Sequence, residues 1–225
     1  MCGRFALTTS DMTLAELLRL AQPPALQPRY NIAPTQPLAA LRSPSAGTER
    51  RLDMLRWGLI PSWAKDAAIG HRMINARAET VAEKPAYRVA FRRRRCLIPA
   101  TGFYEWQKPK IKGPKQPHYI RLADDRPFAF AGLWESWTGP DQTIIESATI
   151  ITTTPNDLLQ PIHDRMPVIL GPDEFDRWLD PERSDPRELA PLLRPFPAEL
   201  MTAYPVTTHV NKPQNDDPTC IQPQR

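Results

Sequence analysis

The segment "RCLIPATGFYEW", residues 95–106, reads as strand rather than helix. It is apolar and rich in large rings, and it is too short to be a helix bounded by turns. Cys96 sits in its apolar part and reads as core. Runs of the same kind flank it: "PLAALR" (37–42), "LDMLRWGLI" (52–60), "HYIRLA" (118–123), "PFAFAGLW" (127–134), "TIIESATIITT" (143–153) and "MTAYPVTTHV" (201–210). Helical patterns are fewer. "LAELLRLA" (14–21) puts apolar residues on one face, with Thr13 and Glu16 spaced as a capping box. Further helical patches are "ETVAEKPAYRVAFRRR" (79–94), "PDEFDRWLD" (172–180) and "DPRELAPLL" (185–193). Strands outnumber helices and do not alternate with them. The expected fold is α+β, with a mostly antiparallel, barrel-like β core and peripheral helices.

The chain has 225 residues, 41% of them hydrophobic and 24% charged, with 27 Pro and 9 Gly. These values fit one globular domain, residues 1–225, built from many short elements. From about residue 212 to 225 the chain is polar and Pro-rich and is expected to drape over the surface. No run approaches the ~20 apolar residues of a membrane helix. The start lacks the charged-then-apolar layout of a secretory signal, so the expected location is the cytoplasm, on the nucleoid when engaged with DNA. Three cysteines without C-x-x-C spacing and four histidines without ligand spacing suggest neither a disulfide framework nor a metal. The net charge is +4, and 22 of the 29 basic residues are arginine. Arginine forks onto phosphate, which suits nucleic acid, although a GC-rich coding sequence enriches arginine equally well. The run "RRRR" (92–95) follows a helical patch, so its members spread around a helix and read as a solvated face.

The start, "MCGRF", places Cys2 directly behind the initiator methionine. Once Met1 is removed, Cys2 carries a free α-amine beside its thiol. An α-amine has a pKa of about 8 against about 10.4 for lysine, so near neutral pH roughly a fifth is unprotonated, against about 0.1% of lysine. Such an amine attacks an aldehyde to form an imine. The adjacent thiol can then close onto the imine carbon to give a five-membered thiazolidine. With Met1 attached the amine is blocked, and Cys2 would simply pack as a small hydrophobe.

Six segments carry a resemblance: "MCGRF" (1–5), "RYNIAPTQ" (29–36), "RWGLIPSWAKD" (56–66), "MINARAET" (73–80), "GFYEW" (102–106) and "IHDRMPVIL" (162–170). In this order and spacing the chain resembles the SOS response-associated peptidase (SRAP) family of abasic-site processing proteins, from Cys2 to about Asn211. The resemblance implies a DNA-damage protein that binds single-stranded DNA and links Cys2 covalently, as a thiazolidine, to the aldehyde of an abasic deoxyribose. It also implies lyase-like imine chemistry, peptidase-like removal of Met1, no cofactor, and action as a monomer. It assigns catalysis to Cys2, Asn75, Glu105 and His163. It assigns DNA contact to Arg4 and Arg77 and, more loosely, to Thr152.

The residues themselves leave alternatives. Glu105 lies among large rings, where desolvation would raise its pKa toward neutrality and let it donate a proton to the sugar ring oxygen. Strand alternation, however, turns it away from Tyr104 and Trp106, as an outward-facing Glu would be. Asn75 could cap a helix starting at "ARAET" or hold the Cys2 amine. His163 has a suitable pKa for moving a proton at the imine. Trp63 could stack on an unpaired base, and Trp57 reads as core. Two other functions use the same residues: an N-terminal-nucleophile hydrolase or peptidase working through the Cys2 thiolate, and a non-covalent single-strand DNA binder.

Overall fold

The computed structural model describes residues 2–43, 50–109 and 111–224. In chain order its strands are β1 (Phe5–Leu7), β2 (Arg29–Ile32), β3 (Pro37–Arg42), β4 (Arg51–Trp57), β5 (Asn75–Arg77), β6 (Arg95–Ala100), β7 (Gly102–Gln107), β8 (Gln116–Leu122), β9 (Phe128–Thr138), β10 (Ile144–Thr153), β11 (Met166–Pro167), β12 (Ile169–Leu170) and β13 (Met201–Pro205). The helices are α1 (Asp11–Leu18), α2 (Arg88–Arg93), α3 (Phe175–Leu179) and α4 (Pro186–Leu189), joined by short 3-10 turns. None of the described helices is long and apolar enough to cross a membrane.

Five strands close on themselves in the order β10-β4-β3-β6-β9 and back to β10, making a small barrel. Closure depends on the length of β9, which pairs with β6 through Arg95↔Leu133 to Ala100↔Phe128 and with β10 through Ile144↔Thr138 to Ile150↔Gly132. Pairing is antiparallel except where β10 runs parallel to β4 and to β5. A second sheet, β13-β8-β7-β1-β2, is antiparallel throughout. It packs on the barrel through Phe5 and Phe103. The Phe5 ring meets Trp57 edge-on at 5.2 Å and Phe130 at 5.7 Å, and Phe103 meets Phe130 at 6.0 Å. Trp57 is fully buried, as its sequence context suggests. The segment 95–106 splits at Thr101, so that β6 serves the barrel and β7 the second sheet. Gly102, at the start of β7, leaves no room for a side chain, because a Cβ there would sit 2.3 Å from the Tyr119 ring.

Several local expectations are corrected. Helix α1 starts earlier than its apolar stripe: Ser10 is the cap, its Oγ accepting from Thr13 N at 3.2 Å, and Thr13–Glu16 is not the capping box. Residues 79–87 are mainly turns, and the helix is confined to α2. Asn75 caps no helix, since it opens β5. The arginine run is a solvated face only at Arg92 and Arg93. Arg95 is buried and donates to the carbonyls of Trp178 (2.6 Å), Phe91 (2.8 Å), Arg92 (2.6 Å) and Asp180, while Arg94 pairs with Glu135 at 2.7 Å. Burial lowers the Arg95 pKa to about 10.

The C-terminal segment is stitched in rather than draped. Asn31, fully buried, donates through Nδ2 to the carbonyls of Val210 (3.2 Å), Lys212 (3.1 Å) and Asn215 (2.6 Å), and its Oδ1 accepts from Arg4 at 2.8 Å. Asp216 accepts from the backbone N–H groups of Tyr30 (2.5 Å) and Asn31 (2.9 Å) and pairs with Arg29. Cys220 is buried in a cluster with Tyr104 and Tyr119. Truncating Asn31 would strand several buried carbonyls at once. We expect Asn31→Ala to cost about 3 kcal/mol, read as a lower urea midpoint at unchanged slope.

Candidate functional site

The first strand places the start of the chain inside the molecule. Phe5 pairs with Phe103, and Tyr104 N donates to Arg4 O at 2.9 Å, so residues 2–5 run alongside β7. Cys2 is fully buried, and its carbonyl accepts from Asn75 Nδ2 at 2.7 Å. Asn75 is fixed from behind. Its strand β5 adds to β10 in the register Asn75↔Ile150, and the Tyr87 hydroxyl donates to its carbonyl at 3.2 Å. The Asn75 Oδ1 atom is buried and has no hydrogen-bond partner among the described residues. An unpaired buried acceptor at this point is suited to an incoming donor.

Glu105 follows on β7. Alternation does turn it away from Tyr104, which packs tilted against Tyr119 at 5.0 Å and donates to Tyr30 O at 2.6 Å on the other face. The sheet is covered on both sides, so facing away from Tyr104 means facing the interior, and Glu105 is only 2% exposed. Burial, reinforced by the negative charge of Asp164, raises its pKa to about 7. His163 Nε2 lies 3.7 Å from Glu105 Oε2. Burial lowers the His163 pKa, with Asp164 opposing the shift. The Cys2 thiol is pushed well above its ordinary range, first by burial and then by the Glu105 charge. Cys2, Asn75, Glu105 and His163 thus converge: Asn75 bonds Cys2, the Glu105 charge acts on Cys2, and His163 faces Glu105. A neutral thiol beside a half-titrated carboxyl and an imidazole is equipped to move protons. It is poorly equipped to supply a standing thiolate.

The four residues assigned to DNA contact fare differently. Arg77 is exposed at the end of β5, opposite Thr152 in register. Trp63 is 59% exposed on a turn whose Ala64 carbonyl is held by the Trp137 indole at 2.7 Å, and no hydrogen bond among the described residues ties it to the four. Arg4 points inward: its NH1 donates to Asn31 Oδ1 and to Val210 O at 2.7 Å, which spends that nitrogen on the fold rather than on a phosphate. Thr152 is buried, its hydroxyl donating to Ala76 O at 3.4 Å. It braces the junction of β5, β10 and β11 and does not offer a surface contact.

Sequence reasoning missed several neighbours. Arg165 forks onto Glu79 (2.5 and 2.9 Å) and donates to Thr152 O at 2.6 Å. A groove of about 500 Å³ runs past His163, lined by Trp106, Lys108, Lys115 and Asp164 among others. Lys108 stands just beyond "GFYEW", and that adjacency was the available signal. A second, apolar pocket of about 310 Å³ beside Leu17, Phe128 and Ile169 contains none of the four site residues.

Among the described residues one cluster has metal-ligand composition: His209, Asp217 and Cys220. Its hydrogen bonds are already complete. Asn215 Nδ2 donates to His209 O at 2.7 Å and lies 3.1 Å from His209 Nδ1, so Nδ1 is the acceptor and Nε2 carries the proton given to Asp217 at 2.8 Å. A protonated Nε2 is no ligand.

The abasic site processing protein YoqW of Bacillus subtilis (strain 168) is 45% identical to the chain over 227 residues, covering 99% of each. The abasic site processing protein HMCES of Xenopus tropicalis is 34% identical, over 87% of this chain and 66% of that protein. A crystal structure of a protein from Bacteroides thetaiotaomicron superposes with a TM-score of 0.86 at 29% identity, covering 100% of both chains. A second, from Bordetella bronchiseptica, gives a TM-score of 0.77 at 26% identity over 92% of this chain. The model of the SOS response associated peptidase (SRAP) family matches residues 1–213, and with these likenesses and the pocket around Cys2 it follows that the chain belongs to that family.

Proposed function

We propose that this protein processes abasic sites by binding single-stranded DNA and joining Cys2, freed of Met1, to the ring-opened sugar as a thiazolidine. The observation that carries this reading is the convergence of Cys2 with Asn75, Glu105 and His163, which lie 73 to 161 residues away in sequence. Relatives 45% and 34% identical to the chain are named abasic site processing proteins, which supports the substrate.

The steps balance without oxidant or metal. Glu105, half-protonated near neutrality, donates to the sugar ring oxygen while the C1 hydroxyl releases its proton to water, and the closed hemiacetal opens to the aldehyde. The neutral Cys2 amine adds to the carbonyl carbon. The unpaired Asn75 Oδ1 accepts an N–H of that amine and orients its lone pair. His163 shuttles the proton from nitrogen to the departing hydroxyl, water leaves, and an imine remains. The thiol then adds across C=N, its sulfur to carbon and its proton to nitrogen. Keeping the thiol protonated until that step suits its raised pKa, and this favours imine chemistry over a thiolate hydrolase. Arg77 and the groove lysines supply cations for flanking phosphates, Trp63 and Trp106 offer faces for unpaired bases, and the protein acts as a monomer.

The test is to mix purified protein, its Met1-free state verified by intact mass, with a single-stranded oligonucleotide carrying one abasic site. A heat-stable band on a denaturing gel, with an adduct mass equal to the sum of the partners less one water, is the expected result. Absence of that adduct, or an acyl-thioester mass on Cys2 instead, would overturn the reading. Non-covalent affinity for an intact oligonucleotide should fall about tenfold or more between 50 and 200 mM salt if several phosphates are neutralised.

A further inference from the structure

We propose that Asn211, in the C-terminal segment, is a positioning residue that fixes the Trp106 indole as one wall of the groove in which single-stranded DNA lies. The inference rests on single-stranded DNA being the partner, as proposed above. Trp106 follows Glu105 on β7 and faces the opposite way. Its ring packs against the cluster that holds Tyr104, Val210 and Cys220, and it also lines the groove with His163, Lys108 and Lys115. A half-buried indole has an apolar body and one polar handle, Nε1–H. That handle donates to Asn211 Oδ1 at 2.8 Å. The Arg4 guanidinium lies over the same ring, its carbon 5.8 Å from the centroid.

Asn211 has what an anchor needs. It ends the short turn Thr208–Asn211, and both of its chain neighbours are pinned. Val210 O accepts from Arg4 at 2.7 Å and from Asn31 Nδ2 at 3.2 Å, and Lys212 O accepts from Asn31 Nδ2 at 3.1 Å. The Asn211 side chain itself is exposed, and among the described residues its one hydrogen bond is the one to Trp106. The turn is thus held by its backbone, and the side chain is left to hold the indole. A tryptophan without that bond is free to turn about two torsions, the second of them in a broad well. Ordering such a ring at the moment of binding costs affinity, and ordering it beforehand recovers that cost. A base that flanks an abasic position has lost a stacking neighbour, and a ring already set in the groove replaces it. Asn211 acts through Trp106 and not on the reacting atoms. It should therefore set how tightly the DNA is held and leave the chemical step alone.

A double-mutant cycle tests this. Wild type, Asn211→Ala, Trp106→Phe and the double variant are titrated with a fluorescent, intact single-stranded oligonucleotide. Phenylalanine keeps an aromatic ring and has no N–H to give. Asn211→Ala should weaken binding about fivefold in the wild-type background and less than about twofold in the Trp106→Phe background. With an abasic oligonucleotide, Asn211→Ala should need about fivefold more DNA for half-maximal crosslinking rate, while the limiting rate stays within about twofold. The Trp106 indole N–H signal, assigned in ¹⁵N-labelled protein by its loss in Trp106→Phe, should move upfield and exchange faster in Asn211→Ala. In Asn211→Asp, whose carboxylate still accepts, it should stay bonded. An unmoved indole signal in Asn211→Ala overturns the inference. So does an equal loss of affinity in both backgrounds, which would put Asn211 itself on the DNA, and so does a fall confined to the limiting rate. A wild type that binds DNA without forming an adduct overturns the proposed chemistry alone, since the cycle on intact DNA still decides the role of Asn211. A wild type that binds no single-stranded DNA overturns both.

Discussion

Cys2→Ala is expected to abolish the heat-stable DNA adduct, a loss of at least about 10³-fold in yield over an hour, while leaving non-covalent affinity within about twofold. The reason is a division of labour within one residue. Alanine at position 2 still presents an α-amine once Met1 is gone, so an imine can form and hydrolyse. Borohydride added to the reaction should trap that imine in Cys2→Ala, whereas the wild-type adduct should already resist heat without reductant. Cys2→Ser should resemble Cys2→Ala, because an oxazolidine opens far more readily than its sulfur counterpart. Cys2 is wholly enclosed, and its thiol contributes to the core as well. Removing one sulfur from such a site costs about 1–2 kcal/mol, which a melting curve will register without loss of the fold. A stable adduct in Cys2→Ala would place the linkage on some other nucleophile.

The second large effect concerns Glu105. Glu105→Gln keeps the shape and removes the transferable proton, and crosslinking should slow by about 10²-fold or more. The wild-type rate should rise with pH as the α-amine deprotonates and fall above about 7 as Glu105 gives up its proton. The variant should lose the falling limb. Stability gives an independent check. A carboxyl whose folded pKa lies above its unfolded value binds its proton more tightly in the folded state. Its contribution is therefore largest below the unfolded value of about 4.3 and is lost as pH rises through about 7. The wild type should lose up to roughly 3 kcal/mol between pH 4.5 and 8 from this group, and Glu105→Gln should lose none of it. Parallel stability curves for the two proteins would show that the carboxyl is not desolvated.

The β core was legible because period and length speak for themselves in strands such as β3, β9 and β10, whose bounds fall within a residue or a few of the apolar runs. The very short strands were not. β1, β5, β11 and β12 have two or three residues each and hold by register to longer neighbours, which leaves no periodicity to read. Asn75 shows the consequence: "NARAET" has the letters of a capped helix start, and only its partner β10 makes it a strand. Glu105 failed in a different way. Alternation gave its face correctly, but sequence cannot say that both faces of β7 are covered. Arg95 was misread as part of a solvated face because a guanidinium is equally suited to a bundle of backbone carbonyls, and only the surroundings decide which it meets. Residues 212–224 looked like tail because their polar side chains satisfy one another and the backbone of β2, contacts that leave no apolar signature.

The enclosure of Cys2 has a consequence for biosynthesis. The residue leaves the ribosome first, yet its neighbours His163 and, by way of Arg4, Val210 are made last. At about 5–20 residues per second, something like 10–30 s pass before the pocket can assemble. An external aminopeptidase working on the nascent chain has that interval to clip the initiator. Once the pocket has closed, Cys2 is wholly enclosed, so the clip is expected to fall within that interval.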